Sequence, residues 1–533
     1  MDDDLVLVNG AVYTQDPARP EATAVAIRGG RILAVGDDAT ARAALPDAEV
    51  VDLGGRRVLP GLADAHLHLG WYGLALSSVQ AETPTLDEAL ERVAARAAET
   101  PPGTWITGRG WNHNAWGGEF PTAADLDRVA PDHPVYLSTK SGHAGWANTR
   151  ALAVAGVSAV TPDPDGGRIL RDAAGRPTGI LLEEAMGLVA DRVPEPTVEE
   201  MAAAVSRAAT AAARAGLTGV HDMDDILTFR AEQILHAAGE LPLRVVKSVP
   251  LGHLDAAIET GLRSGFGDEW LRIGAVKMFT DGALGPRTAW MLEPFQTEPP
   301  STGIATTPLE ALCDGVRRAG EAGLGCAIHA IGDRACREVL AIYEEALRER
   351  PLAARGPAAR LRIEHLQILH PDDVPRVARL GVIASMQPIH ATSDMEISDR
   401  HLGARASRAY VFRSLLAAGA TLAFGSDCPV EVVDPLVGLH AAVTRRRADG
   451  SPGPDGWHPE QRLTVAEAVR AYTVGPAYAA GREDRLGVIA PGFLGDLTIL
   501  EEDILRVDPQ DIAHAGVAGT VVGGRFTFRS DGL

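Results

Sequence analysis

Eight short apolar segments, separated by helix-like stretches, are the feature that most limits how this chain can fold. They occupy residues 58–68, 217–223, 243–249, 271–279, 325–331, 361–367, 381–387 and 421–427. Between them, Thr-x-x-Glu sequences that begin at 197, 307 and 464 have the spacing of a helix capping box. Strands that alternate with helices form parallel sheets. Eight such strands predict an α/β fold of the (β/α)8 type, the TIM barrel.

The chain has 533 residues, whereas a barrel of this kind typically needs about 250. Most of the excess lies at 70–190, between the first and second strands. Loops that follow barrel strands emerge at the carboxyl end of the barrel, so we expect a large insertion here that forms a subdomain over the active-site mouth. Both termini have the pattern of short strands. We expect 1–57 and 485–533 to build a small, discontinuous β-sandwich domain, with the barrel and its insertion spanning 58–484.

The composition limits the partners and the compartment. A formal charge of −21, spread along the chain, argues against nucleic acid and anionic membrane as partners, and leaves a small-molecule substrate, with a homodimer as a possible assembly. No apolar run approaches the roughly 18–20 residues of a membrane span, and the N-terminus lacks the pattern of a signal peptide. Four cysteines without CxxC spacing are typical of a reducing environment. The expected location is the cytoplasm.

Ionisable side chains fall at the ends of five of the eight segments, where a barrel carries its active site. They are His66 and His68 on strand one, Lys277 on strand four, His329 on strand five, His365 on strand six and Asp427 on strand eight. Residues two apart on a strand share a face, so both histidines of "AHLH" point one way. One such histidine alone is more often a satisfied polar residue than a ligand. Several imidazoles that converge with a carboxylate predict a site for zinc or a similar divalent ion.

Four further residues are candidates for contact with a substrate. Asp281 and Arg287 follow strand four and could line the site, or could be a turn-stabilising aspartate and a surface arginine. His143, in the insertion, could hold a tetrahedral oxyanion, a role that requires a preorganised donor. Trp111 could form an apolar wall for a substrate, or simply pack within its subdomain.

Several motifs together resemble a known family. They are "LPGLADAHLHL", "VKMFTDGALGPRTA", "AIHAIGDRA", "RIEHLQ" and "FGSDCPV", with "GHAGWANTRAL" in the insertion and "GVIAPGFLGDLTIL" near the C-terminus. The chain is identified as a member of the metal-dependent amidohydrolase superfamily. It resembles amidohydrolase family 3, the group that includes N-substituted formamide deformylases, over nearly its whole length.

The resemblance implies a ligand set. His66 and His68 would bind one metal ion, and His329 and His365 a second. Lys277 would bridge the two ions as a carbamate. An unmodified lysine ammonium has no lone pair to donate, so the alternative is a site with one ion and without Lys277. The expected cofactor is one or two divalent ions, with Zn²⁺ first.

The resemblance also implies that Asp427 contacts the metal and the attacking water. A bound divalent ion lowers the pKa of water and polarises a carbonyl. Asp427 would take the proton of the water and return it to the departing amine. The predicted function is hydrolysis of the C–N bond of an N-acyl or N-formyl amine, or of a related amide or carbamate. An ester, lactone or cyclic imide hydrolase on the same site is the alternative. A non-catalytic scaffold is disfavoured because all six ligand positions are filled.

Overall fold

The computed structural model describes residues 4–139, 144–164, 167–285, 287–296 and 300–533. The chain forms two compact units. The first consists of Met1–Tyr72 together with Val205–Leu533, and the second of Gly73–Ala204.

The first unit contains one sheet of eight parallel strands, in the order of the sequence. The strands are β1 (Leu62–Leu67), β2 (Leu217–Asp222), β3 (Arg244–Pro250), β4 (Leu271–Phe279), β5 (Gly325–Ala330), β6 (Leu361–His365), β7 (Ile383–Met386) and β8 (Leu422–Phe424). Strands of a parallel sheet covered by helices are buried on both faces, which explains the near-continuous apolar runs in the sequence. The predicted barrel of eight parallel strands is confirmed.

The barrel nearly closes where the chain after β8 meets β1. The backbone N–H of Asp427 donates to the carbonyl of His66 at 2.7 Å. The two segments approach closely at Gly425, where an added Cβ would lie 2.4 Å from Oδ1 of Asp64. Only glycine fits this contact without a shift of the backbone. The closure brings residues from the two ends of the barrel sequence into direct contact.

Helices follow the strands in the expected alternation. The longer helices after β2 to β8 are Ile226–Ala238, Leu309–Ala322, Asp333–Glu349, Met395–Leu402 and Pro435–Thr444. Shorter ones are Leu254–Glu259, Val374–Arg379, Pro388–Ser393, Phe412–Ala417, Val465–Ala471 and Val474–Ala479. Leu69–Ser77 follows β1, and Val198–Arg214 precedes β2. Within the described ranges, no helix combines the length and apolar character needed to cross a bilayer.

Two of the three predicted capping boxes form. The side chains and backbone N–H groups of Thr197 and Thr464 exchange hydrogen bonds with the glutamates three residues on. The box predicted at Thr307 is wrong, because that helix begins one residue later, with Pro308 as its N-cap and no side-chain cap. Glu310 then falls at the second helical position, which is too early to reach back to the N-cap.

The first unit has two further sheets, one made of N-terminal strands and the other of strands from both ends of the chain. One contains Arg31–Gly36, Ala24–Arg28, Leu5–Val8 and Glu49–Asp52. The other contains Arg525–Arg529, Val517–Val522, Leu497–Leu500, Arg57–Pro60, Ala11–Tyr13 and Glu21–Ala22. Ile27, Val58 and Ile499 belong to one buried apolar cluster that joins these sheets. The residue boundaries proposed for a terminal domain stay a prediction.

The second unit has a six-stranded sheet of its own. In order, its strands are Gly167–Arg171, Pro177–Glu183, Ala144–Ala147, Val135–Thr139, Ile106–Trp111 and Val79–Gln80. Its helices include Leu86–Glu99, Ala123–Val129, Thr149–Val154 and Gly187–Ala190. Trp111, Leu137 and Trp146 are fully buried in its core. The placement of this unit over the barrel mouth stays a prediction.

Candidate metal centre

The first histidine pair, His66 and His68, lies at the carboxyl end of β1. Nδ1 of His66 is 2.6 Å from Oε2 of Glu364. Nδ1 of His68 is 2.9 Å from Oδ1 of Asp224. Because an ionised carboxylate only accepts hydrogen bonds, each Nδ1 carries a proton, and in the neutral ring Nε2 offers the lone pair that a metal ion takes. Both Nε2 atoms lie 3.3 Å from Oδ1 of Asp427. Two nitrogen lone pairs and a carboxylate oxygen therefore converge on one point.

This set of donors fits a divalent cation. Bonds of about 2.0–2.2 Å to a tetrahedral zinc ion separate neighbouring ligand atoms by about 3.3–3.6 Å, which is the spacing between each Nε2 and Asp427. Nε2 of His66 is buried, and among the described residues no group forms a hydrogen bond with it. A buried polar nitrogen without a partner is costly, and a bound cation would satisfy it. His66, His68 and Asp427 can thus hold one ion.

Asp427 also contacts a histidine that the strand pattern did not single out. Oδ2 of Asp427 lies 3.2 Å from Nε2 of His390, whose Nδ1 lies 3.5 Å from Oε1 of Glu431. Burial opposes the charged form of His390, but the hydrogen bonds with these two carboxylates raise its pKa to about 10. Burial likewise opposes the ionised form of Asp427, yet its hydrogen bond with His390 holds its pKa well below the usual range.

The second histidine pair, His329 and His365, lies beside the first. The ring of His365 is 4.8 Å from that of His66 and 4.6 Å from that of His329. Both rings are anchored by neutral groups: Nδ1 of His365 lies 2.9 Å from Oε1 of Gln387, and Nε2 of His329 lies 3.0 Å from the carbonyl of Gly282. Burial lowers the pKa of His329 to about 3 and that of His365 well below its usual range. Both rings are therefore neutral.

Donor atoms at ligand spacing form two sets among the described residues. One is His66, His68 and Asp427, and the other is His365, His390 and Asp427. His329 is in neither set. The metal-ligand roles expected for both histidine pairs stay predictions.

Lys277 lies on β4, where its charge acts on His329 and His365. Its side chain is buried, and Nζ is 4.9 Å from the centre of the Phe279 ring. Burial lowers the pKa of Lys277 to about 8, while the charges of Glu364 and Asp427 oppose this shift. A neutral amine is present at a useful fraction near neutral pH, and only the neutral amine reacts with carbon dioxide.

Two of the converging residues have unusual backbone conformations. Asp427 has a φ of 59° and His365 a φ of 70°, both in the left-handed region. This region is sparsely populated by residues other than glycine, and such strain concentrates at functional sites. On a regular strand, Glu364 and His365 would face opposite ways. The turn at His365 allows both of them to lie against His66.

The sequence reasoning missed Glu364, Asp224 and His390. Glu364 was hidden because strand alternation places it on the face opposite His365. His390 lies in the short helix Pro388–Ser393, outside the strand ends where ligands were sought. Asp224 is two residues beyond the end of β2, and its place in the "HDMDD" sequence was the available signal.

The remaining candidates have different surroundings. Asp281 accepts hydrogen bonds from three backbone N–H groups, at 2.8–3.0 Å, and lies 3.6 Å from Nε2 of His329. Burial raises its pKa to about 7. Trp111 is fully buried, and its Nε1 donates to a carbonyl of its own sheet. Arg287 is half-buried, with a φ of 60°. His143 lies outside the described residues. The substrate-binding and oxyanion roles of these residues stay predictions.

Comparison with known proteins agrees with the motifs. The model of the amidohydrolase family matches residues 49–528. The N-substituted formamide deformylase of Arthrobacter pascens is 33% identical over 99% of each chain. The protein LONG AFTER FAR-RED 3 of Arabidopsis thaliana is 36% identical over 98% of this chain and 91% of its own. The crystal structure of a metal-dependent hydrolase from Pyrococcus horikoshii superimposes with a TM-score of 0.80 at 30% identity, over 95% of this chain and 99% of that one. The resemblance is confirmed: the chain belongs to the amidohydrolase family and is a hydrolytic enzyme.

Proposed function

We propose that this enzyme uses a divalent metal to hydrolyse the C–N bond of an N-acyl or N-formyl amine, or of a related amide or carbamate. The observation that carries the proposal is the convergence of Nε2 of His66, Nε2 of His68 and Oδ1 of Asp427, with 3.3 Å between each nitrogen and the oxygen. The similarity to a formamide deformylase supports the choice of a C–N bond. The partner would be a small molecule in the cytoplasm.

When bound, the ion activates water and polarises the substrate carbonyl. His66 and His68 would hold it through Nε2, with Glu364 and Asp224 fixing the orientation of their rings. Asp427 would accept a proton from the attacking water at a carboxylate oxygen and then deliver it to the nitrogen of the departing amine. Its pKa, held well below the usual range, keeps the carboxylate ionised and ready to accept.

The number of ions depends on the second histidine pair. Two Zn²⁺ ions, with His329 and His365 on the second, require a carbamate on Lys277. The lowered pKa and burial of Lys277 support this modification, since they favour a neutral amine. A single ion at the first pair is the alternative, and in that case Lys277 is unmodified.

The surroundings of the centre support a substrate with an apolar substituent. Two large apolar residues beside the carboxyl ends of β1 and β4, Trp71 and Phe279, are exposed. The ring of Trp71 is 5.6 Å from that of His68, and the ring of Phe279 is 5.3 Å from that of His329. Apolar surface this close to a polar centre suits the hydrocarbon part of a substrate.

A substrate screen tests the proposal. Metal-free enzyme, prepared with a chelator, is reconstituted with Zn²⁺ or Mn²⁺ and assayed on N-formyl and N-acetyl amines with methyl, butyl and benzyl substituents. We expect turnover only after reconstitution, with the highest kcat/KM for the larger apolar substituents. Matched esters, lactones and cyclic imides are assayed in parallel. A higher kcat/KM for one of these compounds than for every amide would show that the enzyme cleaves that bond rather than a C–N bond. The absence of metal-dependent turnover for every compound would overturn the proposal.

A further inference from the structure

Next to His68 lies a buried ionic cluster, of which the proposed mechanism uses only Asp224. It consists of Asp222 and Asp224 at the end of β2, Glu232 on the helix Ile226–Ala238, and Lys247 on β3. The side chains of Asp222, Glu232 and Lys247 are at most 1% exposed. Charges are seldom buried this deeply unless they are paired, so the arrangement needs an explanation.

Asp224 connects this cluster to the candidate ligand. Its Oδ1 lies 2.9 Å from Nδ1 of His68, and its Oδ2 accepts hydrogen bonds from the backbone N–H groups of Gly70, at 2.7 Å, and Trp71, at 3.1 Å. One carboxylate thus orients the ring of His68 and holds the chain that follows it.

Asp222 holds the residue that precedes Gly70. Its Oδ1 accepts a hydrogen bond from the backbone N–H of Leu69 at 2.8 Å. The N–H groups of Leu69, Gly70 and Trp71 belong to the first turn of the helix after β1, where no partner exists within the helix. Negative charge at this end of a helix is also favoured by the helix dipole. The two aspartates therefore cap the helix that begins directly after His68.

Lys247 holds both aspartates in place. Its Nζ donates to a carboxylate oxygen of Asp222 and, at 2.7 Å, to the backbone carbonyl of Asp224. Burial opposes the charged form of Lys247, but the nearby carboxylates raise its pKa above the usual value. Burial raises the pKa of Glu232 well above its usual range, so this carboxyl is neutral. The ammonium group of Lys247 therefore interacts with the two aspartates rather than with Glu232.

We propose that Lys247 is a positioning residue that sets the metal affinity of the first histidine pair. It contacts neither substrate nor metal. It acts by fixing the backbone of Asp224, and through Asp224 the ring of His68. The inference rests on the proposed function, because it requires that His68 bind an ion. Removal of a residue hydrogen-bonded directly to a metal ligand weakens metal binding by about 10–100-fold, and Lys247, one contact further out, should have an effect near the lower end of that range.

The test compares two substitutions on the same strand. Lys247→Met removes the cation of the cluster. Arg244→Met removes a buried cation three residues earlier, where Arg244 pairs with Asp496 through hydrogen bonds of 2.6 and 2.8 Å. Zn²⁺ affinity is measured by competition with a chromophoric chelator, and the Co²⁺-substituted proteins are compared by visible absorption. We expect Lys247→Met to weaken Zn²⁺ binding by about 10-fold and to alter the Co²⁺ spectrum. Arg244→Met should lower Tm but leave affinity and spectrum unchanged.

Lys247→Met leaves Asp222 buried without its counter-charge, which can prevent folding. The double variant Asp222→Asn with Lys247→Met removes both charges and should show the same loss of affinity in a folded protein. Wild-type affinity and an unchanged Co²⁺ spectrum in a folded variant would overturn the role of Lys247. A wild-type protein that binds no Zn²⁺ would instead overturn the proposed function, so the two failures are distinguishable.

Discussion

The two histidine pairs of the candidate centre differ in what holds them. In the first pair, His66 and His68 each turn Nδ1 to a carboxylate. In the second pair, His329 and His365 are held by a backbone carbonyl and a side-chain amide. Both kinds of partner orient the ring, but a carboxylate also adds negative charge near the cation, so it makes the imidazole the stronger ligand. We infer that the first pair is the primary metal site and that the second depends on Lys277.

The largest effect is expected when one histidine of either pair is replaced by alanine, and it distinguishes the two pairs directly. His68→Ala should release the metal and lower kcat/KM by about 10³-fold or more, because water activation and carbonyl polarisation are lost together. His329→Ala should retain at least one ion per chain. Metal content is measured by mass spectrometry after dialysis against metal-free buffer. Retention of full metal content by His68→Ala, with loss in His329→Ala, would reverse the proposed order of the pairs.

A substitution of Lys277 tests whether the second pair holds an ion. If a carbamate bridges two ions, Lys277→Met should reduce the metal content from about two ions per chain to about one and lower kcat by about 10²-fold or more. The intact mass of the native protein should also include one added carbon dioxide. Unchanged metal content and activity in Lys277→Met would show that no carbamate bridge is needed, and a content of one ion per chain would then establish a single-ion site.

Exchanging charged and neutral partners of the histidines tests whether the charge of the partner causes the difference in metal affinity between the two pairs. Glu364→Gln keeps the shape of the side chain beside His66 but removes its charge, and should weaken Zn²⁺ binding about 10–100-fold. Gln387→Glu adds a charge beside His365 and should strengthen binding at the second pair. Stepwise Zn²⁺ titrations of both variants are compared with the wild type. Equal affinities in all three proteins would show that the charge of the anchor does not matter.

The smallest effect is expected at an ion pair outside both histidine pairs. Arg57 donates two hydrogen bonds to Asp503, one of them at 2.8 Å. Partial burial opposes ionisation, but Arg57 lowers the pKa of Asp503 in the folded protein. The pair therefore stabilises fully above the unfolded pKa of about 3.9 and ceases to stabilise as the pH falls through the lower folded pKa.

Asp503→Asn should thus lower the free energy of unfolding by about 1–3 kcal/mol at pH 7, without a change in Zn²⁺ affinity. The difference from the wild type should shrink as the pH is lowered below about 4 in urea titrations. A loss of Zn²⁺ affinity in this variant would mean that general destabilisation, rather than the anchors, accounts for effects at the centre.

The sequence predicted the barrel and the convergence of its strand ends because both follow from periodicity. Apolar segments repeat along the chain, and parallel strands bring their carboxyl ends together, so His66, His68 and Asp427 could be associated across about 360 residues. The anchors could not be predicted in this way. Glu364 reaches His66 only because His365 departs from strand geometry, and His390 is presented by a helix. The prediction of a capping box at Thr307 was wrong because the local sequence alone does not determine where a helix begins.

The central claim is that an ion held by the first histidine pair and Asp427 drives hydrolysis, with Asp427 moving the proton. The most direct measurement is kcat together with metal content for wild type and Asp427→Asn, on one N-formyl amine that the wild type hydrolyses. Asparagine preserves the size of the side chain but removes its basicity. The account predicts that the metal is largely retained and that kcat falls by about 10²–10⁴-fold. Full kcat in an Asp427→Asn protein with its metal bound would contradict it.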